Sequence, residues 1–577
     1  MHRCGIKGNM ITPVKLRHYG IQLLAGALLV TVIVRTLLAP QSEFGDGREY
    51  VLQTQSIFFD ASLAVDPALR TQYFNRTNPF GIQLEQTQRR SPGQDSSGEE
   101  RQFGSGFGSL YLASDGSYRY IHSWIYSMAT VPAYAILHYL APGKAEYSAF
   151  RVVNILALFV PLALWWRAAP ALNTFLFLAV MLASPITPHL QFAHPEVFCL
   201  SCVLLSFLSI RSPVARPLSP LVLGLGAAQN IPIAFFFPLH LWLMLEVLGF
   251  NIKSFTSRKS LLLITWYAVA ALPPLAILTY NYKLFGTFNL IVHLGQADFR
   301  YLSLRKIVSV FISPLIGCLW YLPASWLGVV IALGRGHFKN ALLFTLSVLV
   351  VATLSSTTAN INSAQLSACR YAVWYLGPLY VLPFFFSSQP RPIMGVREIV
   401  GWSVGLLSIG LIWAQLNTYR FLTNPNLQFL TLQRAVPEVA ALYRISHFHD
   451  DIEPIVENLT RREIPVPHRF RGIYVWNLGG DQSLWIVSKR AMNISTIFEV
   501  EANNDLSQFP VVQDAFEVTG VGDRRFLLRV RPEVSFSEHP HLGAYLMLWV
   551  PSDIERVRST APTTVVATGR SIKSGPH

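Results

Sequence analysis

Apolar residues in this chain run in long blocks, not in the alternating or 3.6-residue patterns of a soluble domain. Crossing the hydrocarbon core of a bilayer takes about 20 apolar residues. Blocks of roughly that length lie at 21–39, 148–167, 171–187, 194–211, 260–282, 309–333, 340–357, 371–388 and 399–417. The block 217–249 is too long for one ordinary span. Basic residues flank both of its ends, so it reads as two short crossings, 217–229 and 231–249, meeting near Gln229 and Asn230. A half such as 217–229 reaches only about 20 Å at 1.5 Å per residue. Such short pieces are tolerated where other helices bury them. The pattern predicts an all-α polytopic membrane protein of about eleven transmembrane helices.

Two stretches break that pattern. The first, 40–147, would be a loop after the opening span. Its residues 85–108 are rich in Gln, Ser, Gly and both charges and read as a mobile insertion. Its residues 121–141 are apolar but carry His122, Trp124, Tyr126, Tyr134, His138 and Tyr139 around Pro132. That mixture suits a helix lying flat at the interface; an ordinary span is the alternative. The second stretch is 418–556. Runs at Gly472–Leu478, Ser483–Val487, Ser495–Val500, Phe516–Thr519, Arg525–Val530 and Tyr545–Val550 are rich in β-branched and aromatic residues. They predict a small α+β domain, with Gly520-Val521-Gly522-Asp523 as a hairpin turn. Residues 557–577 read as a disordered tail.

Composition agrees with lipid as the main solvent. The 577 residues are 51% apolar and only 14% charged, against about 25% charged in soluble proteins. The net charge of +14 is distributed as an orientation signal. Arg3, Lys7, Lys15 and Arg17 in the segment 1–19 precede the first span without an acid, which reads as an uncleaved signal anchor with a cytoplasmic N-terminus. With 121–141 lying flat, Arg167, Arg211, Arg216, Lys253, Arg258, Lys259, Arg335, Lys339, Arg391 and Arg397 all fall in cytoplasmic loops. Lys283, Arg300, Arg305, Lys306 and Arg370 fall outside. A crossing at 121–141 reverses the bias, so the flat assignment follows. It puts 40–147 and the C-terminal domain on the extracytoplasmic face. A charge balance explained by anchoring leaves no argument for a nucleic-acid partner. The five cysteines form no spaced framework, and Cys199 and Cys202 read as small packing residues in a span.

Candidate chemistry lies at the outer ends of the spans. Asp46, Glu49, Tyr50, Gln53, Ile57 and Asp60 have helical spacing shortly after the first span. A carboxylate held there can act as a general base toward a hydroxyl or amine. The plainer reading makes Asp46 an N-cap. The loop His189-Leu190-Gln191-Phe192-Ala193-His194-Pro195-Glu196 adds a second acid on the same face, or simply starts the next helix. Two acids with histidines could hold a divalent cation, but no ligand spacing is diagnostic. Lys283 and Arg370 run against the charge bias. Arg370 suits a phosphate, and a snorkelling helix-end arginine is the alternative. His447-Phe448-His449-Asp450-Asp451 reads as a surface turn or a metal site.

These residues together resemble the GT-C superfamily of integral-membrane glycosyltransferases, which use polyprenyl-phosphate-linked sugars. Gly45-Asp46-Gly47-Arg48-Glu49-Tyr50 is similar to the family's acidic motif in the first outer loop. Tyr120-Ile121-His122-Ser123-Trp124 through Val131-Pro132-Ala133-Tyr134 is similar to its flat helix. Glu196 is similar to its second acidic position. Tyr280-Asn281-Tyr282 with Phe285-Gly286, and Arg370-Tyr371, resemble motifs of bacterial members. Where many members have two adjacent acids, Gly47 follows Asp46 here and the next acid is Glu49.

The resemblance covers most of 20–420. It implies transfer of a sugar from a polyprenyl-phosphate donor to an envelope glycan, lipid or protein at the outer face of a bacterial inner membrane. Asp46 would be the catalytic base. Glu49, Tyr50, Asp60, His122, His194, Glu196, Lys283, Arg370 and Tyr371 would bind substrates. A divalent cation is possible and no other cofactor is implied. Two other readings fit the composition: a transporter or flippase for a lipid-linked or polar solute, and a non-catalytic envelope assembly protein. A transporter needs polar groups near the bilayer midplane, whereas the polar clusters here lie at the ends of the spans.

Overall fold

The computed structural model describes residues 13–38, 47–66, 68–69, 110–168, 172–182, 184–249, 258–293, 297–313, 316–358 and 369–385, eight strand segments between 473 and 570, and the single residues 403 and 508. Asp46, the insertion 85–108, the block 399–417 apart from residue 403, and the motif 447–451 lie outside the described residues.

The helices are α1 (Pro13–Leu38), α2 (Gly47–Asp60), α3 (Ile125–Leu140), α4 (Ala145–Ala168), α5 (Leu172–Leu182), α6 (Ile186–His189), α7 (Glu196–Ser209), α8 (Ser219–Gln229), α9 (Phe237–Val247), α10 (Arg258–Phe285), α11 (Leu290–His293), α12 (Leu304–Ile312), α13 (Cys318–Tyr321), α14 (Pro323–Gly334), α15 (Phe338–Ser355), α16 (Ala372–Tyr375) and α17 (Gly377–Phe385). Strands β1 (Leu110–Leu112) and β2 (Tyr118–Tyr120) form an antiparallel hairpin between α2 and α3.

Among the described residues, three helical stretches are long and apolar enough to cross a membrane: Pro142–Arg167, Ser260–Phe285 and Phe338–Ser355. Shorter apolar helices cover Gln22–Leu38, Glu196–Ser209, Ile231–Val247, Pro323–Gly334 and Ala372–Phe385. This is a helical membrane protein, and its described residues fall short of eleven full spans. The block 217–249 breaks at Asn230, which is extended at φ −140° and ψ 99° between α8 and a 3₁₀ segment leading to α9. The block 309–333 is not the single span that its apolar run suggests. It divides into α12, α13 and α14. Pro323 starts α14, and a proline suits a first helical turn but not an interior. Gly317 admits no Cβ, which would lie 2.5 Å from the Ser313 carbonyl oxygen.

The centre of the bundle is α7, buried along almost its whole length and packed against α4, α8, α16 and α17. In lipid there is no apolar driving force between helices, so close approach over small residues matters. A Cβ on Gly224 of α8 would meet the Ala270 carbonyl oxygen of α10 at 2.1 Å. Pro274 lies four residues after Ala270 and has no N–H to offer that carbonyl. Gly328 of α14 lies against the Leu379 carbonyl oxygen of α17 in the same way, leaving no room for a Cβ, with Pro383 four residues on. A bare glycine thus covers a carbonyl that proline has released, twice. Cys202 lies against Gly226. Both Cys199 and Cys202 are free and buried, as packing residues are.

Toward the C-terminus, strands β3 (Ile473–Gly479), β4 (Gln482–Ser488), β5 (Ile497–Ala502), β6 (Phe516–Gly520), β7 (Arg525–Val530), β8 (Tyr545–Val550), β9 (Ile554–Ser559) and β10 (Ala567–Arg570) form two four-stranded sheets, ordered β10-β3-β4-β8 and β6-β7-β5-β9. Six of them coincide with the β-rich runs of the sequence, and β6 and β7 pair antiparallel around Gly520. Part of β9 and all of β10 fall within 557–577, the stretch expected to be a disordered tail. There β10 pairs in parallel with β3.

Candidate active site

Helix α2 is polar in sequence, yet Gly47, Glu49 and every residue from Tyr50 to Ser56 are buried. A polar helix can be buried only if its groups find partners, and neighbouring segments supply them. Ser127 of α3 donates to Gln53 Oε1 at 2.7 Å, and Gln55 Nε2 donates to Glu146 of α4 at 2.8 Å. The face that α3 buries carries Tyr126, Ser127, Thr130 and Tyr134, while Met128, Ile136, Tyr139 and Leu140 are exposed. Its exposed side is therefore apolar and its inner side largely polar. Tyr126 donates from its hydroxyl to Asn154 Oδ1 at 2.8 Å and from its backbone N–H to Gln229 Oε1 at 2.8 Å. Gln229 also donates to the Tyr50 hydroxyl at 3.4 Å. The break at Asn230 thus leaves a side chain at the end of α8 that ties α2 to α3.

The loop before α7 is held from below by α4. Asn154 Nδ2 donates to the Phe192 carbonyl at 2.9 Å, and Arg151 Nε donates to the Gln191 carbonyl at 3.3 Å. This fixes His194 and Glu196, both 2% exposed. Arg370 Nε meets Glu196 Oε1 at 2.9 Å, and its Nη1 lies 3.3 Å from His194 Nδ1. A guanidinium only donates, so His194 Nδ1 accepts and the ring proton sits on Nε2. That nitrogen points to the start of α2, where a Cβ on Gly47 would lie 3.8 Å from it and 3.6 Å from the Ala193 Cβ. The Arg370 guanidinium also stands over the Tyr371 ring, 5.5 Å from its centroid. His189 completes the group. Burial, then His194 and Arg370, push its pKa well below the usual histidine range.

The start of α2, the loop before α7 and the segment entering α16 therefore converge on one point: Gly47, His194, Glu196, Arg370 and Tyr371. Asp46 adjoins Gly47 in the chain. A second pair stands two residues along α2, where the Glu49 carboxylate lies 2.8 Å from His122 Nδ1. The His122 ring packs on Tyr50, centroids 5.9 Å apart. Two expected site residues are elsewhere. Asp60 is exposed at the far end of α2, about 20 Å from Gly47 at 1.5 Å per residue. Lys283 is exposed at the end of α10 and lines a different hollow with Ser114, Asp115, Arg119, Tyr280 and Leu284.

The Glu196 and His194 pair does not fit a divalent cation, because Arg370 already places positive charge against both groups. Among the described residues no three His, Cys, Asp or Glu side chains gather as a metal site. Sequence reasoning missed Arg119, Asp115 and Gln229. Asp115-Gly116 between Leu110-Tyr111-Leu112 and Tyr118-Arg119-Tyr120 is a hairpin signal, and Gly116 does adopt φ +79°. Nothing in the sequence marks Gln229 as a bridge.

No protein-family model matches the chain, and no curated protein matches it. Two solved structures are similar in arrangement. One is the crystal structure of ArnT from Cupriavidus metallidurans bound to undecaprenyl phosphate, with TM-score 0.42 and 14% identity, covering 69% of this chain and 65% of ArnT. The other is ArnT from the same organism in the apo state, with TM-score 0.40 and 14% identity, covering 77% of this chain and 72% of ArnT. The first match spans slightly less than two thirds of the ArnT chain. Similarity at this level assigns neither fold nor function.

Proposed function

We propose that the protein is a membrane glycosyltransferase that moves a sugar from a polyprenyl-phosphate carrier to a cell-envelope acceptor at the outer face of the inner membrane. The observation that carries this reading is the convergence of Gly47, His194, Glu196 and Arg370 from three separate segments on one buried ion pair. A membrane protein with no catalytic task there has little reason to bury a charge pair beside an acidic loop motif.

In this reading residues 20–417 form the membrane domain, and 40–147 and 418–556 lie outside the cell membrane. Asp46 takes the proton from the acceptor hydroxyl. The acceptor oxygen forms a bond to the anomeric carbon as the bond from that carbon to the phosphate oxygen breaks. Configuration inverts, and polyprenyl phosphate leaves with the electron pair. Arg370 supplies fixed positive charge near the departing phosphate, while Glu196 and His194 orient the acceptor. Glu49 and His122 hold the first turn of α2 against the entry to α3, which fixes Gly47, the chain neighbour of Asp46, against His194.

Purified protein incubated with a panel of polyprenyl-phospho-sugars and envelope acceptors tests this directly. Release of polyprenyl phosphate with an inverted product supports the reading. Passage of a lipid-linked sugar across proteoliposomes without cleavage would replace it with a transporter.

A further inference from the structure

The hollow at the end of α10 is a second built feature, and the sugar-transfer cluster does not use it. Its volume is about 470 Å³, and five of its six lining residues are polar: Ser114, Asp115, Arg119, Tyr280 and Lys283. The turn of the β1–β2 hairpin forms one wall by capping α10. Ser114 donates from its backbone N–H to the Leu284 carbonyl at 2.8 Å and from its hydroxyl to the Lys283 carbonyl at 3.2 Å. Those carbonyls are the exposed negative end of a helix, so the hairpin removes what would otherwise repel an anion.

The charges are arranged to leave one cation unspent. Arg119 donates from Nη1 to the Tyr280 hydroxyl at 2.7 Å, from Nη2 to Asp115 Oδ2 at 2.9 Å and from Nε to the Ser117 hydroxyl at 2.8 Å. All three of its nitrogens serve the wall. Asp115 Oδ1 accepts from the Ser117 hydroxyl at 2.6 Å and from its N–H at 3.0 Å. The Arg119 and Asp115 charges cancel, and Lys283 makes no ion pair among the described residues. The lining is therefore one positive charge in excess, on a compact ammonium with three donors.

The surroundings specify what kind of anion reaches it. Only 22% of the most apolar window of Ser260–Phe285 is buried, so α10 presents most of its length outward. Beside Lys283, Tyr282 stacks on Phe288 at 4.7 Å with an interplanar angle of 17°, and both rings are more than half exposed. An exposed aromatic pair and a lysine at the end of an outward-facing apolar helix mark the level of lipid headgroups.

We propose that this hollow binds a phosphate group through Lys283, with the Arg119–Asp115–Tyr280 lattice as a rigid wall, and that the phosphate belongs to a lipid headgroup. Binding does not depend on sugar transfer. Trp124 lies 6.4 Å from the Tyr280 ring and provides an optical probe. The test titrates full-length purified protein in neutral detergent with dihexanoyl-phosphatidylglycerol below its micelle concentration, and separately with inorganic phosphate, following tryptophan fluorescence. The expected result is saturable binding of the lipid that weakens about tenfold in Lys283→Gln, is kept in Lys283→Arg and is unchanged in Lys339→Gln. Lys339 stands over Trp242 elsewhere in the bundle. Inorganic phosphate that saturates the same site as tightly as the lipid would overturn the lipid source. Absence of saturation, or equal affinity in Lys283→Gln, would overturn the phosphate site itself.

Discussion

Two arginine–carboxylate pairs on this protein have nearly the same geometry and opposite surroundings. Arg370 meets Glu196 at 2.9 Å with side chains 7% and 3% exposed, and Arg119 meets Asp115 at 2.9 Å with side chains 15% and 42% exposed. Burying a charge pair costs desolvation that the attraction often fails to recover, whereas an exposed pair contributes about 0–1 kcal/mol. The inner pair is therefore an expensive arrangement that stability alone does not explain. It holds His194 and sits against the start of α2. The outer pair is cheap, and its effect is geometric: it aligns a wall beside Lys283.

The sharpest way to break this comparison is to remove one carboxylate from each pair. Glu196→Ala leaves the Arg370 charge buried without its carboxylate and should cost about 3–5 kcal/mol. This would be read as a large loss of melting temperature in detergent and loss of transfer. Asp115→Ala should cost about 1 kcal/mol or less. Equal losses would show that the inner pair is ordinary. A smaller effect comes from pH. His189 is kept neutral by burial beside His194 and Arg370. The unfolded chain therefore takes up the proton first, and stability should fall as pH drops below about 6.5. The His189→Phe variant should lose that part of the acid sensitivity in melts between pH 7.5 and 5. The smallest effect belongs to the outer pair. The Ser117 hydroxyl and N–H, ahead of Arg119, lower the Asp115 pKa from 3.8 to about 2. Its contribution is present above pH 3.8 and disappears as pH falls toward 2, so Asp115→Asn should lose about 1 kcal/mol or less at neutral pH and converge with wild type as pH falls toward 2.

The two regions were also unequally legible. Helix α2, the break at Asn230 and six of the strands follow from local pattern, because apolar runs, helical spacing and β-branched clusters are local signals. The motif residues around Asp46, His194, Glu196 and Arg370 stand out because acids, and a cation against the charge bias, are uncommon at the span ends. Their partnership does not, since His194 and Arg370 are 176 positions apart and nothing local couples them. The outer pair is not legible in the sequence because Asp115 and Arg119 sit in a polar stretch where charges are common, although Asp115-Gly116 marks the turn. The block 309–333 reads as one span because its apolar content outweighs Gly317 and Pro323. Glycines facing proline-released carbonyls, such as Gly224 on Ala270, become meaningful only once two helices are seen together.

The central claim is that the buried cluster serves a base at Asp46. Its most direct test is the single-turnover rate of sugar transfer from the polyprenyl-phosphate donor by Asp46→Asn, compared with wild type in the same detergent. General-base catalysis contributes about 10²–10⁴-fold, so the account predicts a loss of at least that order, with an unchanged melting temperature and unchanged membrane insertion. A variant that folds and transfers sugar at the wild-type rate would contradict it.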